Sequence, residues 1–517
     1  MSASVQKASQ APLKGLPLVL LTVGVALSTF MEVLDTTIVN VSVPNIAGSL
    51  AVSPSEGTWA ISSYSLAAAI MQPLTGWLSK RFGEVRTFCL SVLLFVVFSA
   101  LCGLATTMPM LVLFRLMQGL VSGPMVPLSQ SLLMVNYPPE KRGIALGLWA
   151  MTVIVAPVFG PIFGGWLTDN LSWPWIFYIN LPVGLFAAII TWTLMRKRET
   201  PMIKNPIDVV GLFLLVVGVG SLQFMLDNGN DLDWFGSPVI VALGLTALVG
   251  LIFLVAWELT DRHPIVDLSL FRQRNYRFGV MAMGLGIFGF FGISVIFPLW
   301  LQTTVGYTAT WAGLATAPVG ILPLILAPIV GKNVNRLNLR AATSFAFFIF
   351  AVSSFWAATR TDSSSYLQYA LPRFFQGVGI AFFFVPINQI IMSGVQPHEI
   401  ASASGLSNFV RTIAGSLSTA ISTWLWQDRS TYHRTVLAEH VNAQAPGWQH
   451  YQAQLQSTVG GDVSHWQPLL DHVVAVQAQT MAANDMFRLY GVIFLIIIPI
   501  LWLARPPFGA RGIEGMH

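Results

Sequence analysis

Runs of about twenty consecutive apolar residues recur along this chain from Leu16 almost to its end, and nothing else in it restricts the fold as strongly. A helix of about 20 apolar residues crosses a bilayer core. Spans read on that basis fall at 16–39, 58–78, 87–107, 109–132, 144–166, 176–195, 207–227, 237–257, 277–301, 311–331, 340–359, 370–393, 403–426 and 486–504, fourteen in all. Composition agrees: charged residues are 9% of the 517 and mean hydropathy is +0.67, whereas a soluble domain carries roughly 25% charged residues. The expected fold class is an all-α polytopic membrane protein.

Charge tests the count independently, because cytoplasmic segments of a membrane protein are rich in Lys and Arg. With the N-terminus inside, twenty of the 27 basic residues fall in inside segments, and only Arg360, Arg429 and Arg434 fall outside. Arg115, Arg373, Arg411 and Arg488 lie in or at the ends of spans. Both termini are therefore expected on the cytoplasmic side. The net charge of +5 is explained by topology rather than by nucleic-acid binding. Residues 1–15 read as a short cytoplasmic tail rather than a removable signal peptide. Cys89 and Cys102, thirteen residues apart in one span, are roughly 20 Å apart along a helix and cannot bridge.

The two halves repeat. Arg115-Leu116-Met117-Gln118-Gly119 returns as Arg373-Phe374-Phe375-Gln376-Gly377, an offset of 258. The same offset pairs Pro139 with Pro397, Ala145 with Ala403, and Gly147-Leu148 with Gly405-Leu406. Spans four and five thus correspond to spans twelve and thirteen. The domain reading follows: a tail over 1–15, a six-helix bundle over 16–200, two inserted helices over 201–265, a second six-helix bundle over 266–504 that includes a periplasmic loop over 427–485, and a tail over 505–517. Two similar bundles rocking about a midplane site are a transporter's architecture.

Ionisable residues inside a membrane are costly and mark function by default. Glu32 and Asp35 lie three apart in the first span and share a face. Arg115 lies in the fourth span and Arg411 in the thirteenth. Asp35 is the expected proton-coupling carboxyl, with Glu32 beside it and Arg115 biasing the pair. The competing structural reading is a fixed Asp–Arg pair bracing two helices, with Arg411 holding backbone carbonyls at a bundle interface. Arg411, Asn40 and Gln118 are the expected polar groups of a substrate cavity. In the fifth span, Pro157, Gly160, Pro161, Gly164 and Gly165 combine helix breakers with small residues that allow close helix approach. Gly164 and Gly165 are expected to let the two bundles meet.

Several segments resemble the drug:proton antiporters of the major facilitator superfamily. Residues 34–44, with Asp35, Thr36, Thr37, Asn40 and Pro44, are similar to their first-helix motif, and Gly160 to Gly165 is similar to their antiporter motif. Trp173-Pro174-Trp175-Ile176-Phe177-Tyr178-Ile179-Asn180-Leu181-Pro182 resembles the signature leading into their sixth helix, and the stretch from Asn408 through Arg411 to Ser416 also fits. Together they are most similar to the fourteen-helix EmrB group of Gram-negative bacteria, over essentially the whole chain. The resemblance implies the major facilitator fold, with two six-helix bundles plus two inserted helices, 14 transmembrane helices in all, in the bacterial inner membrane. Two departures stand out. In the loop after the second span, made of Gly76, Lys80, Arg81, Gly83 and Glu84, the family's aspartate position holds Lys80 and the acid has moved to Glu84, so the gating salt bridge is expected to be rewired. Glu32 adds an acid beside Asp35.

The expected function is proton-coupled export of lipophilic drugs or toxic compounds, and not an enzyme reaction. Phe, Trp and Met are abundant in the spans and suit flat lipophilic cargo. The two buried acids and two buried arginines balance, which points to neutral or weakly acidic compounds. The alternatives are a membrane-embedded enzyme or a transporter of non-drug metabolites. All eight histidines fall outside the spans, five of them in the long outer segment 427–485. A solvated polar face explains them better than a metal site, and no cofactor is expected. No nucleotide-binding loop occurs. In the same segment, residues 469–486 carry an apolar pattern for a helix lying on the membrane face, capping the exit or meeting another protein. The resemblance implies the partner: a periplasmic adaptor of the EmrA kind, working with a TolC-like outer-membrane channel.

Overall fold

The computed structural model describes residues 13–138, 141–203, 206–261, 264–440 and 463–508, and all regular structure among them is helical. The long helices are α1 (Leu16–Ser49), α2 (Trp59–Phe82), α3 (Glu84–Gly103), α4 (Met108–Ser122 continuing as Met125–Asn136), α5 (Arg142–Asn170), α6 (Asn180–Met195), α7 (Val209–Asn228), α8 (Pro238–Thr260), α9 (Arg274–Thr303), α10 (Ala309–Thr316 continuing as Ile321–Asn333), α11 (Leu339–Ala357), α12 (Tyr366–Ile391), α13 (Ile400–His440) and α14 (Val463–Trp502). Among the described residues, eleven are long and apolar enough to cross a membrane. The remaining three, α2, α5 and α13, occupy expected positions two, five and thirteen, so the order is compatible with fourteen crossings.

Local chemistry sets the helix ends. Ser365 and Gln368 form a capping box at the start of α12, and the Asn338 and Asp208 side chains accept from Ala341 N and Gly211 N at the starts of α11 and α7. Such caps satisfy amides that the first helical turn leaves unpaired. Gly83 turns α2 into α3 in a single residue at φ 90°, a conformation that favours glycine. The α3 N-terminus that follows is capped from a distance: Val85 N and Arg86 N donate to the two Glu199 carboxylate oxygens, each at 3.0 Å, and Glu84 N donates to Thr200 Oγ1.

Packing sorts the helices into two bundles, α1–α6 and α9–α14, with α7 and α8 paired beside them and α7 resting on α2 and α13. The bundles meet chiefly through two crossed pairs, α2 on α13 and α5 on α10, with α4 on α13 and α5 on α12 beside them. The repeat equates α2 with α10 and α5 with α13, so these pairs exchange under an approximate two-fold axis. Gly147 and Gly405, matched by the repeat, do equivalent work. A Cβ on Gly147 would lie 3.0 Å from the Ala327 carbonyl oxygen, and one on Gly405 would lie 2.7 Å from that of Gln72. Polar groups close the same region: Gln130 Nε2 donates to Asn388 Oδ1 at 3.0 Å and Thr412 Oγ1 to Gln72 Oε1 at 2.9 Å. Gln130 and Asn388 are themselves 258 apart. These contacts cluster in the half of the molecule that carries the start of α1 and the end of α14.

The long outer segment differs from its reading as a loop. Its described parts are continuations of α13 and α14, which run 41 and 40 residues. At 1.5 Å per residue each is about 60 Å long, twice the bilayer core. The apolar pattern at 469–486 belongs to α14 and packs on α13. Residues 441–462, including His450, lie outside the described residues. Ion pairs bind the two extensions: Asp485 Oδ2 accepts from Arg429 Nη2 at 2.8 Å and lies 2.8 Å from His433 Nε2, and Arg434 Nη2 donates to Asp471 at 2.7 Å.

Candidate functional site

Asp35 is completely buried in α1, and its two oxygens have separate partners. Arg115 Nη1 of α4 donates to Oδ2 at 2.5 Å, and Asn180 Nδ2 at the head of α6 donates to Oδ1 at 2.8 Å. Arg115 is itself fixed: Nε donates to the Ala60 carbonyl at 2.9 Å, Nη1 also to Gln118 Oε1 at 2.8 Å, and the guanidinium lies 4.2 Å from the Tyr64 ring centroid. The Arg-x-x-Gln spacing puts Arg115 and Gln118 on one helix face, which is why they meet. Asn180 is held in turn by Ser99, whose hydroxyl donates to the Phe177 carbonyl. Four helices of the first bundle therefore converge on one carboxylate.

Glu32 lies one turn away on the same face, buried, with Oε2 unpartnered. It interacts electrostatically with Arg411 of α13, whose guanidinium lies 5.8 Å from the Trp149 ring centroid. Trp149 is anchored through Nε1 to Ser129 Oγ. The two acids thus face different ways: Asp35 into its own bundle, Glu32 toward the second. Gln118 belongs to the Asp35 cluster, whereas Asn40 is exposed and stands apart from it.

Gly160 and Gly164 face α1 of their own bundle rather than the other bundle. A Cβ on Gly164 would come within 2.8 Å of the Ile38 carbonyl oxygen, and one on Gly160 would overlap Thr37. Small residues there let α5 lie against α1, and the hydroxyls of Ser42 and Thr168, 2.8 Å apart, join the two. Gly165 is half-buried and Pro157 exposed, while the Pro161 side chain lies outside what is described. The glycines that bring the bundles together are instead Gly76 and Gly405 on α2 and α13, with Gly76 against Ser402, and Gly143, Gly147 and Gly331 on α5 and α10. The acid at Glu84 turns inward and accepts from Ser131 Oγ at 3.2 Å within the first bundle. Lys80 and Arg81 are half-buried, and the Lys80 carbonyl accepts from Ile203 N.

Two crossed bundles, a repeat-related interface and a buried Asp–Arg pair on α1 and α4 describe a facilitator. The sequence profile of the Major Facilitator Superfamily matches residues 25–419. The chain belongs to that superfamily. Its relatives place it in the EmrB branch: it is 47% identical over 501 residues to the multidrug export protein EmrB of Haemophilus influenzae, covering 97% of this chain and 98% of that one. It is 48% identical over 506 residues to EmrB of Escherichia coli, with the same coverage. It is also 46% identical over 510 residues to the fatty acid resistance protein FarB of Neisseria gonorrhoeae, covering 97% and 99%. Solved structures share the fold: a double tryptophan variant of XylE (TM-score 0.60, 16% identity, 96% of this chain and 98% of that one) and the human organic anion transporter MFSD10 (0.56, 14%, 94% and 100%). The chain is a multi-pass membrane transporter and not an enzyme.

The sequence reading omitted Asn180 as a site residue, although it stands in the quoted signature before the sixth helix. Gln130 and Asn388 were also omitted, and the repeat offset was the signal that would have paired them.

Proposed function

We propose that this transporter is a proton-coupled antiporter that exports lipophilic compounds across a bacterial inner membrane, with both termini in the cytoplasm. The observation that carries the reading is the buried Asp35–Arg115 pair, held by Asn180, with the unpartnered Glu32 one turn away. A proton that neutralises Asp35 removes the charge holding Arg115, while the guanidinium keeps Gln118 and the Ala60 carbonyl. The tie between α1 and α4 then weakens without leaving a wholly unsatisfied cation. Each inward proton supplies about 2.3 kcal/mol per 100 mV and about 1.4 kcal/mol per pH unit.

Cargo is received between the bundles, where Glu32, Arg411 and Trp149 lie. One acid and one base beside a large ring suit a neutral or weakly acidic lipophilic molecule. The names of the relatives, a multidrug export protein and a fatty acid resistance protein, support such cargo. The contacts from Gly147, Gly405, Gln130 and Asn388 close the cytoplasmic side in this arrangement, so cargo leaves toward the far side. There the α13–α14 hairpin is placed to meet a periplasmic adaptor of the EmrA kind, which hands cargo to a TolC-like channel.

Proteoliposomes with an imposed pH gradient test the coupling: cargo accumulates against its own gradient, and accumulation collapses when a protonophore is added. Accumulation indifferent to the protonophore rejects proton antiport. For the partner, residues 444–479, which include the outer part of α14, are replaced by a short Gly/Ser linker. Loss of adaptor co-purification with liposome transport retained supports docking on the hairpin, and unchanged co-purification rejects it.

A further inference from the structure

A guanidinium stays charged at any physiological pH, so burying one without a carboxylate leaves a charge that something must balance. The repeat supplies two arginines for comparison. Arg115 has Asp35. Arg373, on α12, is 2% exposed and has only neutral partners among the described residues: Nη1 donates to Gln376 Oε1 at 2.6 Å and Nη2 to Ser294 Oγ of α9 at 3.4 Å. Ser294 stands on α9, the first helix of the second bundle as α1 is of the first, and it faces Arg373 as Asp35 faces Arg115. The second bundle thus keeps the Arg and Gln of the motif and has a hydroxyl where the first has its acid. Ser294 spends its own proton on the Phe290 carbonyl at 2.8 Å, so it is an acceptor toward Arg373 and carries no negative charge.

Two donors in this cluster have no acceptor among the described residues, Arg373 Nε and Gln376 Nε2, both on buried side chains. The Phe297 ring centroid lies 5.4 Å from the guanidinium carbon and covers one face. The two side chains are joined through the Nη1–Oε1 bond, and unpaired amide and guanidinium N–H groups against an apolar wall are donor chemistry for an anion. We propose that Arg373 and Gln376, with Ser294 as the neutral floor, bind a monovalent anion inside the second bundle, as a free halide or as the anionic group of a lipophilic acid. The site is separate from the Asp35 cluster and stands or falls independently of proton coupling.

The experiment uses the full chain in nanodiscs and radiolabelled chloride in a gluconate buffer. Wild-type protein binds chloride saturably, and chloride raises its melting midpoint relative to gluconate. Arg373→Gln loses both effects. Because that variant risks misfolding, Ser294→Asp is the decisive one: it supplies an internal counter-charge of the kind the first bundle already tolerates. It folds, melts at a midpoint independent of chloride, and binds none. Decanoate separates the sources, since displacement of chloride assigns the site to a lipophilic carboxylate, and undisturbed chloride assigns it to an inorganic ion. Absence of saturable chloride binding by the wild type, or full binding by Ser294→Asp, overturns the proposal.

Discussion

Replacing Asp35 with Asn changes one atom type and leaves the shape of the side chain, which makes it the sharpest probe of coupling. Both carboxylate oxygens accept, one from Arg115 and one from Asn180. An amide offers one acceptor, so one of those contacts becomes donor against donor whichever way it is turned. An unsatisfied buried polar group costs about 1–3 kcal/mol, and stranding the partner of a buried ion pair costs about 3–5 kcal/mol. Arg115 keeps Gln118 and Ala60, so the lower end, about 3 kcal/mol, is expected as lost stability. The transport effect is larger in kind. With one proton per cargo, a 100 mV potential and one pH unit supply about 2.3 and 1.4 kcal/mol, together a ceiling of about 500-fold accumulation at 1.36 kcal/mol per tenfold. Asp35→Asn reduces that ceiling to no accumulation, while exchange of cargo without a gradient persists and reports a folded carrier. The assay is cargo uptake into proteoliposomes with and without the imposed gradient. A variant that still accumulates cargo to the wild-type ceiling would refute Asp35 as the coupling group and leave Glu32 to be tested by the matching amide substitution.

Arg115→Lys keeps the charge but not the fork that serves Ala60, Asp35 and Gln118 together; initial transport rates fall about tenfold, corresponding to one charge-assisted hydrogen bond, and Arg115→Ala is inactive. Gln130→Leu removes the bond to Asn388 across the bundles and strands a buried acceptor at about 1–3 kcal/mol. Spin-label distances between the Gly76 end of α2 and the start of α13 then shift toward a parted population, and an unchanged distance distribution counts against a latch there. Asp485→Asn loosens the hairpin by about 1 kcal/mol, the small value reflecting its partial exposure; faster hydrogen exchange in the extensions with unchanged liposome transport is the expected result.

The parts legible from sequence share one property: each left a mark that repeats. Apolar runs gave the helix order, because a bilayer demands the same length every time. The RxxQG pair placed Arg115 and Arg373 on equivalent helices before any geometry was known. What stayed hidden depends on direction around a helix rather than on position along it. Gly160 and Gly164 have the small-residue pattern of an interface, yet the pattern does not say which neighbour they face, and that neighbour is α1 of the same bundle. Glu84 has the charge of a gating acid but points at Ser131. The extensions of α13 and α14 escaped for a different reason. Their residues are polar enough to end an apolar run, so hydropathy stops at 426 and resumes at 486, while the helices continue on ion pairs between Arg429, His433 and Arg434 of α13 and the acids Asp471 and Asp485 of α14.

The repeat also explains why the two halves do not share the chemistry equally. A rocking carrier needs two interfaces that open and close together, and the crossed pairs α2–α13 and α5–α10 are equivalent under the two-fold axis, with Gly147 and Gly405 in matching places. Symmetry is therefore kept where the bundles touch. A coupling group needs the opposite, because two identical acids would titrate together and tie transport to two protons in one step. The first bundle holds Asp35 against Arg115. The second keeps Arg373 and Gln376 and replaces the acid with Ser294, so no proton-binding carboxylate faces that guanidinium. Placing an acid at Ser294 would make the halves alike again. On this argument it adds a second titrating carboxyl to the cycle, and the steepness with which export depends on external pH rises in that variant while the bundle contacts at Gly147 and Gly405 remain as they are.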